Sequence, residues 1–318
     1  MDYVKNNRML SLLGQRGTFG TVLNELAKDD ERIVAMSADL ARVSGLEKFI
    51  KNYPDRYINV GIAEENAVGM AAGIADAGKI PFVTTFSNFA AMRANEFVRH
   101  FMAYMNCNVK LVGLSSGFAM ELFGTTHYGL EDVAVLRCMP DITILSPCDC
   151  MEVAKCVETA VAIDGPVYLR LSGKMNQPIV HRADYEFKVG QAITEKEGSD
   201  CVVYATGSMV SVALKAAKEL ESENISVKVV NIHTIKPIDR ECILVNRDKK
   251  CMFSLEEHSR IGGLGTAISE VLSEEGYQGR LIRMGTLDEY KKAGTYEYML
   301  EQHGLTVSNL VNTIKNNI

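Results

Sequence analysis

The chain contains 318 residues, of which 47% are hydrophobic and 23% charged, and this length is enough for two domains of about 150 residues each. The composition excludes intrinsic disorder, collagen and a coiled coil as descriptions of the whole chain. The 34 basic and 40 acidic residues give a net charge of −6, and no long basic run is present, which argues against a nucleic-acid binder.

Hydropathy and cysteine spacing exclude further classes of protein. No apolar run approaches the ~18 residues of a membrane-spanning helix, and the N-terminus lacks the ordered regions of a signal peptide. We therefore expect a cytoplasmic protein that does not bind membranes. The eight cysteines include no Cys-x-x-Cys pair and the six histidines include no pair with metal-ligand spacing. The sequence predicts free thiols and no metal site on this chain.

The first half of the chain alternates short apolar runs with helical segments. Strands are predicted at residues 32–36, 57–60, 80–85, 109–114, 142–145 and 167–171. Helices are predicted at about residues 19–28, 65–77, 88–104, 130–138 and 149–162. Buried parallel strands have this short apolar form, with crossover helices between them.

A polar stretch over residues 173–190 separates this half from a second series of alternating strands and helices. There, strands are predicted at residues 201–205, 227–232, 250–255 and 281–284, and helices at 208–221, 238–246 and 264–275. The pattern predicts an α/β fold of two domains, each a mostly parallel sheet flanked by helices. The predicted boundaries are residues 10–175 for the first domain, 176–190 for the linker and 191–318 for the second domain.

The densest motif lies at residues 56–78, where a buried strand and a glycine turn lead into a helix that opens with Glu64 and Glu65. Acidic side chains at a helix N-terminus are stabilised by the helix dipole by about 0.3–1 kcal/mol each, so a purely structural role is one interpretation. Gly69 and Gly73, with alanines around them, give this helix a small-residue face. Such a face allows close packing, either within the subunit or across an interface.

Several segments resemble the transketolase family and its relative 1-deoxyxylulose-5-phosphate synthase. Gly-Ile-Ala-Glu at 61–64 is similar to the segment that holds the thiamine-activating glutamate of that family. Ser-Ala-Asp-Leu at 37–40, Thr-Phe-Ser-Asn-Phe at 85–89 and Gly-Thr-Thr-His at 124–127 resemble other family segments in the same order. The resemblance implies a transketolase-like pyrimidine-binding domain followed by a transketolase-like C-terminal domain.

The resemblance also implies which residues bind the cofactor, thiamine diphosphate with Mg²⁺. Glu64 would be catalytic, because the glutamate of the family shares a proton with a ring nitrogen of the cofactor aminopyrimidine. Burial suits this role, since it raises the pKa of a carboxyl group. Asp39, Phe86, Phe89 and Met92 complete the predicted cofactor contacts, with the two phenylalanines as a stacking wall. Core packing is the alternative interpretation of the phenylalanines.

Substrate contacts are implied in the same way. His127 would be catalytic and would hydrogen-bond substrate oxygens, although a lone histidine is more often structural. Arg16, Ser44 and Lys174 would bind the phosphate of a sugar phosphate.

Three positions depart from the family pattern. Ser115 stands where many transketolases have histidine, Gly173 where they have arginine, and Phe123 where they have an aspartate that reads a substrate hydroxyl. Because of these departures, the resemblance does not identify the donor and acceptor sugars.

The sequence contains no Gly-Asp-Gly, the motif with which the family holds the diphosphate and Mg²⁺ on a separate domain. The resemblance therefore implies the C-terminal subunit of a split transketolase, active only with an N-terminal subunit that carries this motif. We expect a homodimerising chain in a 2 + 2 heterotetramer, with the small-residue face of residues 66–78 at an interface.

The predicted reaction transfers a two-carbon ketol unit from a ketose phosphate to an aldose or aldose phosphate, with the pentose phosphate reaction as the default. A transketolase subunit for a specialised catabolic sugar phosphate is an alternative. Two others are the β chain of a 2-oxoacid dehydrogenase E1 component and a non-catalytic paralogue that serves as a scaffold.

Overall fold

The structure, a computed structural model, describes residues 1–318 and divides their strands between two mostly parallel sheets flanked by helices, which confirms the predicted fold class. The elements of the first half are α1 (Tyr3–Leu26), β1 (Ile33–Ser37), α2 (Glu47–Asn52), β2 (Tyr57–Asn59), α3 (Glu64–Asp76), β3 (Ile80–Phe86), α4 (Asn95–Phe97), β4 (Lys110–Ser116), α5 (Asp132–Arg137), β5 (Thr143–Leu145), α6 (Cys150–Ala162) and β6 (Val167–Ser172). Turns of π-helix at Phe89–Arg93 and Val98–Tyr104 flank α4.

The second half begins with an edge strand that the sequence pattern did not predict. Its elements are β7 (Ile193–Lys196), β8 (Cys201–Ala205), α7 (Met209–Glu221), β9 (Val227–Asn231), β10 (Thr234–Lys236), α8 (Arg240–Leu244), β11 (Cys251–Ser259), α9 (Leu264–Glu274), β12 (Arg280–Thr286), α10 (Tyr296–Gln302) and α11 (Val307–Lys315). No helix among them, or in the first half, is long and apolar enough to cross a membrane.

The first sheet has the strand order β10-β5-β6-β4-β3-β1-β2, and every pair is parallel except β10 with β5. Strands β1, β3 and β4 are buried along their whole length, as expected of a parallel sheet covered on both faces. Met36 pairs with Val83, and Val83 pairs with Leu111. The carboxyl ends of these strands therefore meet at one edge of the sheet.

Strand β10 comes from the C-terminal half of the chain but completes the sheet of the first half. It runs antiparallel to β5, with Thr234 opposite Leu145. The sequence did not predict it, because three residues are too few to show a period. The boundaries predicted at residues 175 and 190 stay a prediction, and the two halves share a sheet across them.

The second sheet has the order β12-β11-β8-β9-β7, with β7 antiparallel at its edge. Helix α7 packs with the face predicted from the sequence, since Ala213, Ala216, Ala217 and Leu220 are all fully buried. Helices α10 and α11 close this domain through Met299, Leu310 and Ile314, which lie in the same hydrophobic core as α7.

Helix α1 is longer than the predicted helix at 19–28 and bends at Gly14, whose φ is +73°. A Cβ atom at Gly14 would lie 2.5 Å from the carbonyl oxygen of Lys174, so the bend and the close approach both require glycine. The residues just before the bend pack against the segment that follows β6, where the backbone N–H of Gln177 donates to the carbonyl oxygen of Ser11 at 2.9 Å.

A buried polar cluster joins the two domains, and we call it the domain junction. It consists of Asp132, Arg170, Glu257 and His258. The Nε of Arg170 donates to Asp132 Oδ2 at 2.8 Å, and its Nη2 donates to the carbonyl oxygen of Glu257 at 3.0 Å. Burial lowers the pKa of His258 to about 4, so its ring is neutral and accepts the backbone N–H of Ala134. The domains are thus held together by groups that have no access to water.

Candidate functional site

Residues from several of the sequence motifs, together with Ser115, lie at the carboxyl edge of the first sheet. Asp39 follows β1, Gly61 follows β2, Phe86 ends β3 and Ser115 lies at the end of β4. Strand order places β2, β1, β3 and β4 side by side, so these positions are neighbours. Open parallel sheets bind ligands at this edge.

Glu64 is the first residue of α3, and its side chain is only 2% exposed. Its carboxylate accepts hydrogen bonds from Arg93 Nη1 at 2.9 and 2.8 Å and from the Thr85 hydroxyl at 3.3 Å. A buried carboxylate without a partner is strongly unfavourable, and Arg93 supplies that partner here. The predicted burial of Glu64 is therefore present, together with a guanidinium that no sequence motif had indicated.

An aromatic cluster lies beside this carboxylate. The ring centroid of Phe89 is 5.8 Å from that of Phe86 and 5.4 Å from that of His127. Phe123 stands 5.2 Å from His127 on the other side. The Arg93 guanidinium lies 4.0 Å above the Phe89 ring, a cation–π contact. The four-residue spacing of Phe89 and Arg93 on a predicted helix was the available signal for that contact.

Exposed apolar side chains surround the site, and we call them the apolar rim. They are Ile62, Met92, Leu122 and Phe123. Ile62 is 77% and Leu122 76% exposed. Met92, the predicted third contact of the pyrimidine, belongs to this rim at 49% exposure.

Asp39 has a positive φ of +58°, a conformation that aspartate tolerates better than most residues. Asn59 holds this turn. Its Nδ2 donates to Asp39 Oδ1 at 3.1 Å, and its Oδ1 accepts the backbone N–H groups of Asp39 and Gly61 at 3.1 and 3.0 Å. Asn59 thus joins the ends of β1 and β2, and no sequence motif indicated this role.

The predicted phosphate-binding residues, Arg16, Ser44 and Lys174, each have a polar partner within the chain. Arg16 Nη1 donates to Ser115 Oγ at 3.3 Å, so these two meet. Ser44 is fully buried, and its hydroxyl oxygen lies 2.7 Å from the Leu40 carbonyl oxygen and 2.9 Å from the Thr84 hydroxyl oxygen. Such an internal partner leaves Ser44 no open face, and its role in binding phosphate stays a prediction.

Lys174, the third predicted phosphate ligand, forms ion pairs of 2.8 Å with both Glu121 and Glu297. Its ammonium also lies 4.6 Å from the centre of the Tyr296 ring. These contacts link the segment after β6 to α10 of the second domain. A substrate phosphate would have to compete with two carboxylates for this ammonium group.

One set of side chains has donor types that could hold a metal ion, namely Cys148, Asp149 and His181. Burial alone would lower the pKa of His181, but hydrogen bonds from its ring to Asp149 and Glu195 raise it to about 10. Burial raises the pKa of the Cys148 thiol well above its usual value. In the chain as described, the raised pKa of His181 favours ion pairs of its ring with Asp149 and Glu195, so we call these residues the ion-pair cluster. No sequence motif reveals it, because 32 positions separate Asp149 from His181.

Two family models match almost the whole chain. Residues 13–177 match "Transketolase, pyrimidine binding domain", and residues 190–310 match "Transketolase, C-terminal domain". These matches confirm the family resemblance seen in the sequence motifs.

Characterised relatives and a solved structure agree with this result. The chain is 40% identical over 297 residues to the 6-deoxy-6-sulfo-D-fructose transketolase subunit SqwH of Clostridium sp. (strain MSTE9), covering 93% of this chain and 92% of that protein. It is 37% identical to an apulose-4-phosphate transketolase subunit of Actinobacillus succinogenes, covering 89% and 92%. A structure described as a split-gene transketolase, inactive β4 tetramer, superposes with a TM-score of 0.86 at 38% identity and covers 95% of this chain and 97% of that one.

Proposed function

The chain belongs to the transketolase family, and on that premise we propose that it is the C-terminal subunit of a thiamine-diphosphate-dependent transketolase. It would help to transfer a two-carbon ketol unit from a ketose phosphate to an aldose or aldose phosphate. The observation that carries the proposal is the buried Glu64 carboxylate beside the rings of Phe86, Phe89 and His127.

These residues fit the aminopyrimidine half of the cofactor. Thiamine diphosphate, when bound, supplies the carbon nucleophile of the reaction. Glu64 is buried, and its carboxylate would share a proton with a ring nitrogen of the cofactor. Phe86 and Phe89 offer ring faces for stacking, and Met92 offers apolar contact at the rim. Asp39, fixed by Asn59, borders the same edge.

We assign His127 to the binding of substrate oxygens. Its Nδ1 is 3.0 Å from the Thr126 hydroxyl, and its ring packs against Phe86 and Phe89. This packing fixes the ring plane and leaves Nε2 without a partner within the chain. A fixed ring with one available nitrogen can donate a hydrogen bond to a developing oxyanion.

The diphosphate and Mg²⁺ would be held by a separate N-terminal subunit, because this sequence has no Gly-Asp-Gly motif. The name of the relative that forms an inactive β4 tetramer supports inactivity of this chain alone. Gly73 in α3 has no atom within 4 Å of its Cβ position, and Met70 beside it is exposed. Gly69, one turn earlier, packs instead against Phe97 and Phe101 of the same chain. We assign the open surface around Gly73 and the apolar rim to subunit contacts in a cytoplasmic 2 + 2 assembly.

A specialised sugar phosphate is a second candidate for the substrate. Phe123, 67% exposed beside His127, presents an apolar ring where the pentose-phosphate enzymes are expected to have a carboxylate. Both named relatives act on unusual sugars, a sulfofructose and apulose 4-phosphate. Their names support a substrate outside the pentose phosphate reactions.

The proposal is tested by mixing the purified chain with its diphosphate-binding partner. Ketol transfer that requires thiamine diphosphate, Mg²⁺ and both chains is expected. Glu64→Gln should lower the turnover number at least about 100-fold, since a positioned acid–base group contributes about 10²–10⁴-fold. Glu65→Gln, in the same helical turn, is the matched control and should leave turnover nearly unchanged. Full turnover by the Glu64→Gln assembly would contradict the proposal.

The substrate is resolved by comparing xylulose 5-phosphate with the two sugars named for the relatives. A kcat/KM at least tenfold higher for one of the latter would support the specialised assignment. A higher value for xylulose 5-phosphate would support the pentose phosphate reaction.

A further inference from the structure

Arg93 contacts the candidate site in two ways at once. Its Nη1 donates to both oxygens of Glu64, at 2.9 and 2.8 Å, and its Cζ lies 4.0 Å above the ring of Phe89. No other side chain or backbone group forms a hydrogen bond with the Arg93 side chain, which is 40% exposed. The guanidinium is therefore held only by the carboxylate and the ring.

A guanidinium and an aminopyrimidine have a common chemistry. Each presents a planar carbon that carries amino or ring nitrogens, each stacks on an aromatic face, and each hydrogen-bonds to a carboxylate. The proposed function assigns Glu64 and Phe89 to the aminopyrimidine of the cofactor. The carboxylate and the ring face cannot serve both planar groups in the same place.

We propose that Arg93 is an internal competitor of the cofactor, whose guanidinium holds the Glu64 carboxylate and the Phe89 ring until an aminopyrimidine displaces it. This inference rests on the proposed function. It also explains how Glu64 is buried without being left as an isolated charge, which would be strongly destabilising. Cofactor affinity is then reduced by the fraction of molecules in which Arg93 occupies the site.

The contact itself is tested on the chain alone. Arg93→Met should lower the midpoint of thermal unfolding by about 2–4 °C. The same substitution in a Glu64→Gln background should have little effect, because the charge that Arg93 neutralises is gone. Arg99→Met, an exposed arginine six residues further along, is the matched control. Equal losses in both backgrounds would show that Arg93 acts through other contacts and would overturn the proposal.

The competition is tested by equilibrium titration of thiamine diphosphate into the assembly with the diphosphate-binding partner. Arg93→Met should lower the dissociation constant about tenfold relative to wild type. Arg93→Lys should fall between them, since an ammonium keeps the charge but cannot lie flat on Phe89. Arg99→Met should match wild type.

Unchanged or weaker binding by Arg93→Met would overturn the inference and leave the proposed function standing. Absence of any binding by the wild-type assembly would contradict the proposed function and the inference with it.

Discussion

The candidate site and the domain junction each bury a carboxylate beside an arginine, and they differ in how the arginine is held. At the junction, Arg170 is 5% exposed and has bonds to Asp132 and to two backbone carbonyls. At the site, Arg93 is 40% exposed and bonds only to Glu64. The Arg170–Asp132 pair is thus fixed, whereas the Arg93–Glu64 pair can be displaced. Exposure of the cation and the number of its acceptors distinguish a structural pair from one that a ligand can open.

The largest effect is expected at the junction. Arg170→Met leaves Asp132 as a buried charge without its partner and should lower the free energy of unfolding by about 3–5 kcal/mol. Denaturant unfolding of the chain measures it. Arg137→Met is the matched control, because Arg137 also spans the two domains but pairs with the exposed Glu270. Arg137→Met should lower the free energy of unfolding by at most about 1 kcal/mol. Equal losses would show that burial of the Arg170–Asp132 pair does not raise its contribution to stability above that of an exposed pair.

The ion-pair cluster around His181 predicts a pH-dependent loss. His181→Gln should cost about 1.5–3 kcal/mol at pH 6, since it removes hydrogen bonds between charged groups. The folded-state pKa of His181, about 10, lies above its unfolded value near 6.5. Its stabilisation is therefore complete below about pH 6.5 and is lost as the pH rises through about 10. Thermal unfolding of both proteins at pH 6 and pH 10 measures the difference, which should shrink at pH 10. A constant difference would show that the imidazolium contributes no charge interaction.

A smaller effect is expected in the aromatic cluster. Phe89→Leu should cost about 1 kcal/mol of stability, because it removes edge-to-face contacts with Phe86 and His127. Phe187→Leu is the control, since it removes a tilted ring contact with His233 outside the site. Only Phe89→Leu should weaken thiamine diphosphate binding by the assembly in an equilibrium titration. Equal binding by both variants would contradict the stacking role.

The smallest stability effect is expected for Lys174→Met. Its partners Glu121 and Glu297 are well exposed, so the loss should be below about 1 kcal/mol. The informative measurement is the KM for the sugar phosphate. A KM raised tenfold or more would support the predicted phosphate contact, and an unchanged KM would show that Lys174 only links the domains.

Much of the fold could be predicted because the buried parallel strands are short apolar runs. The strand predicted at 201–205 has the observed bounds, and the one predicted at 80–85 ends one residue early. Residues 3–18 of α1 were missed, since polar residues and Gly14 interrupt their pattern. Helix α11 was also missed, although Val307, Leu310, Val311 and Ile314 show the i, i+3, i+4, i+7 spacing that indicates an amphipathic helix.

The candidate site also contains residues that the sequence predicted and one that it did not. Glu64, Phe86, Phe89 and His127 were predicted from local motifs, and the structure brings them together at one edge. Arg93 was missed because its partner lies 29 residues away, across two elements of the fold. Such pairings depend on tertiary packing, which a local motif does not encode.

Strand β10 has a consequence for how this chain can be recombined with its relatives. A chimera joined at the linker would pair β5 from one parent with β10 from the other, across the contact between Leu145 and Thr234. A mismatch there would leave backbone groups unpaired at a sheet edge, where foreign strands associate. A crossover placed after Lys236 keeps the whole seven-stranded ladder within one parental sequence. The segment that must come from one parent to form this sheet therefore extends to Lys236, beyond the first domain that a sequence alignment would delimit.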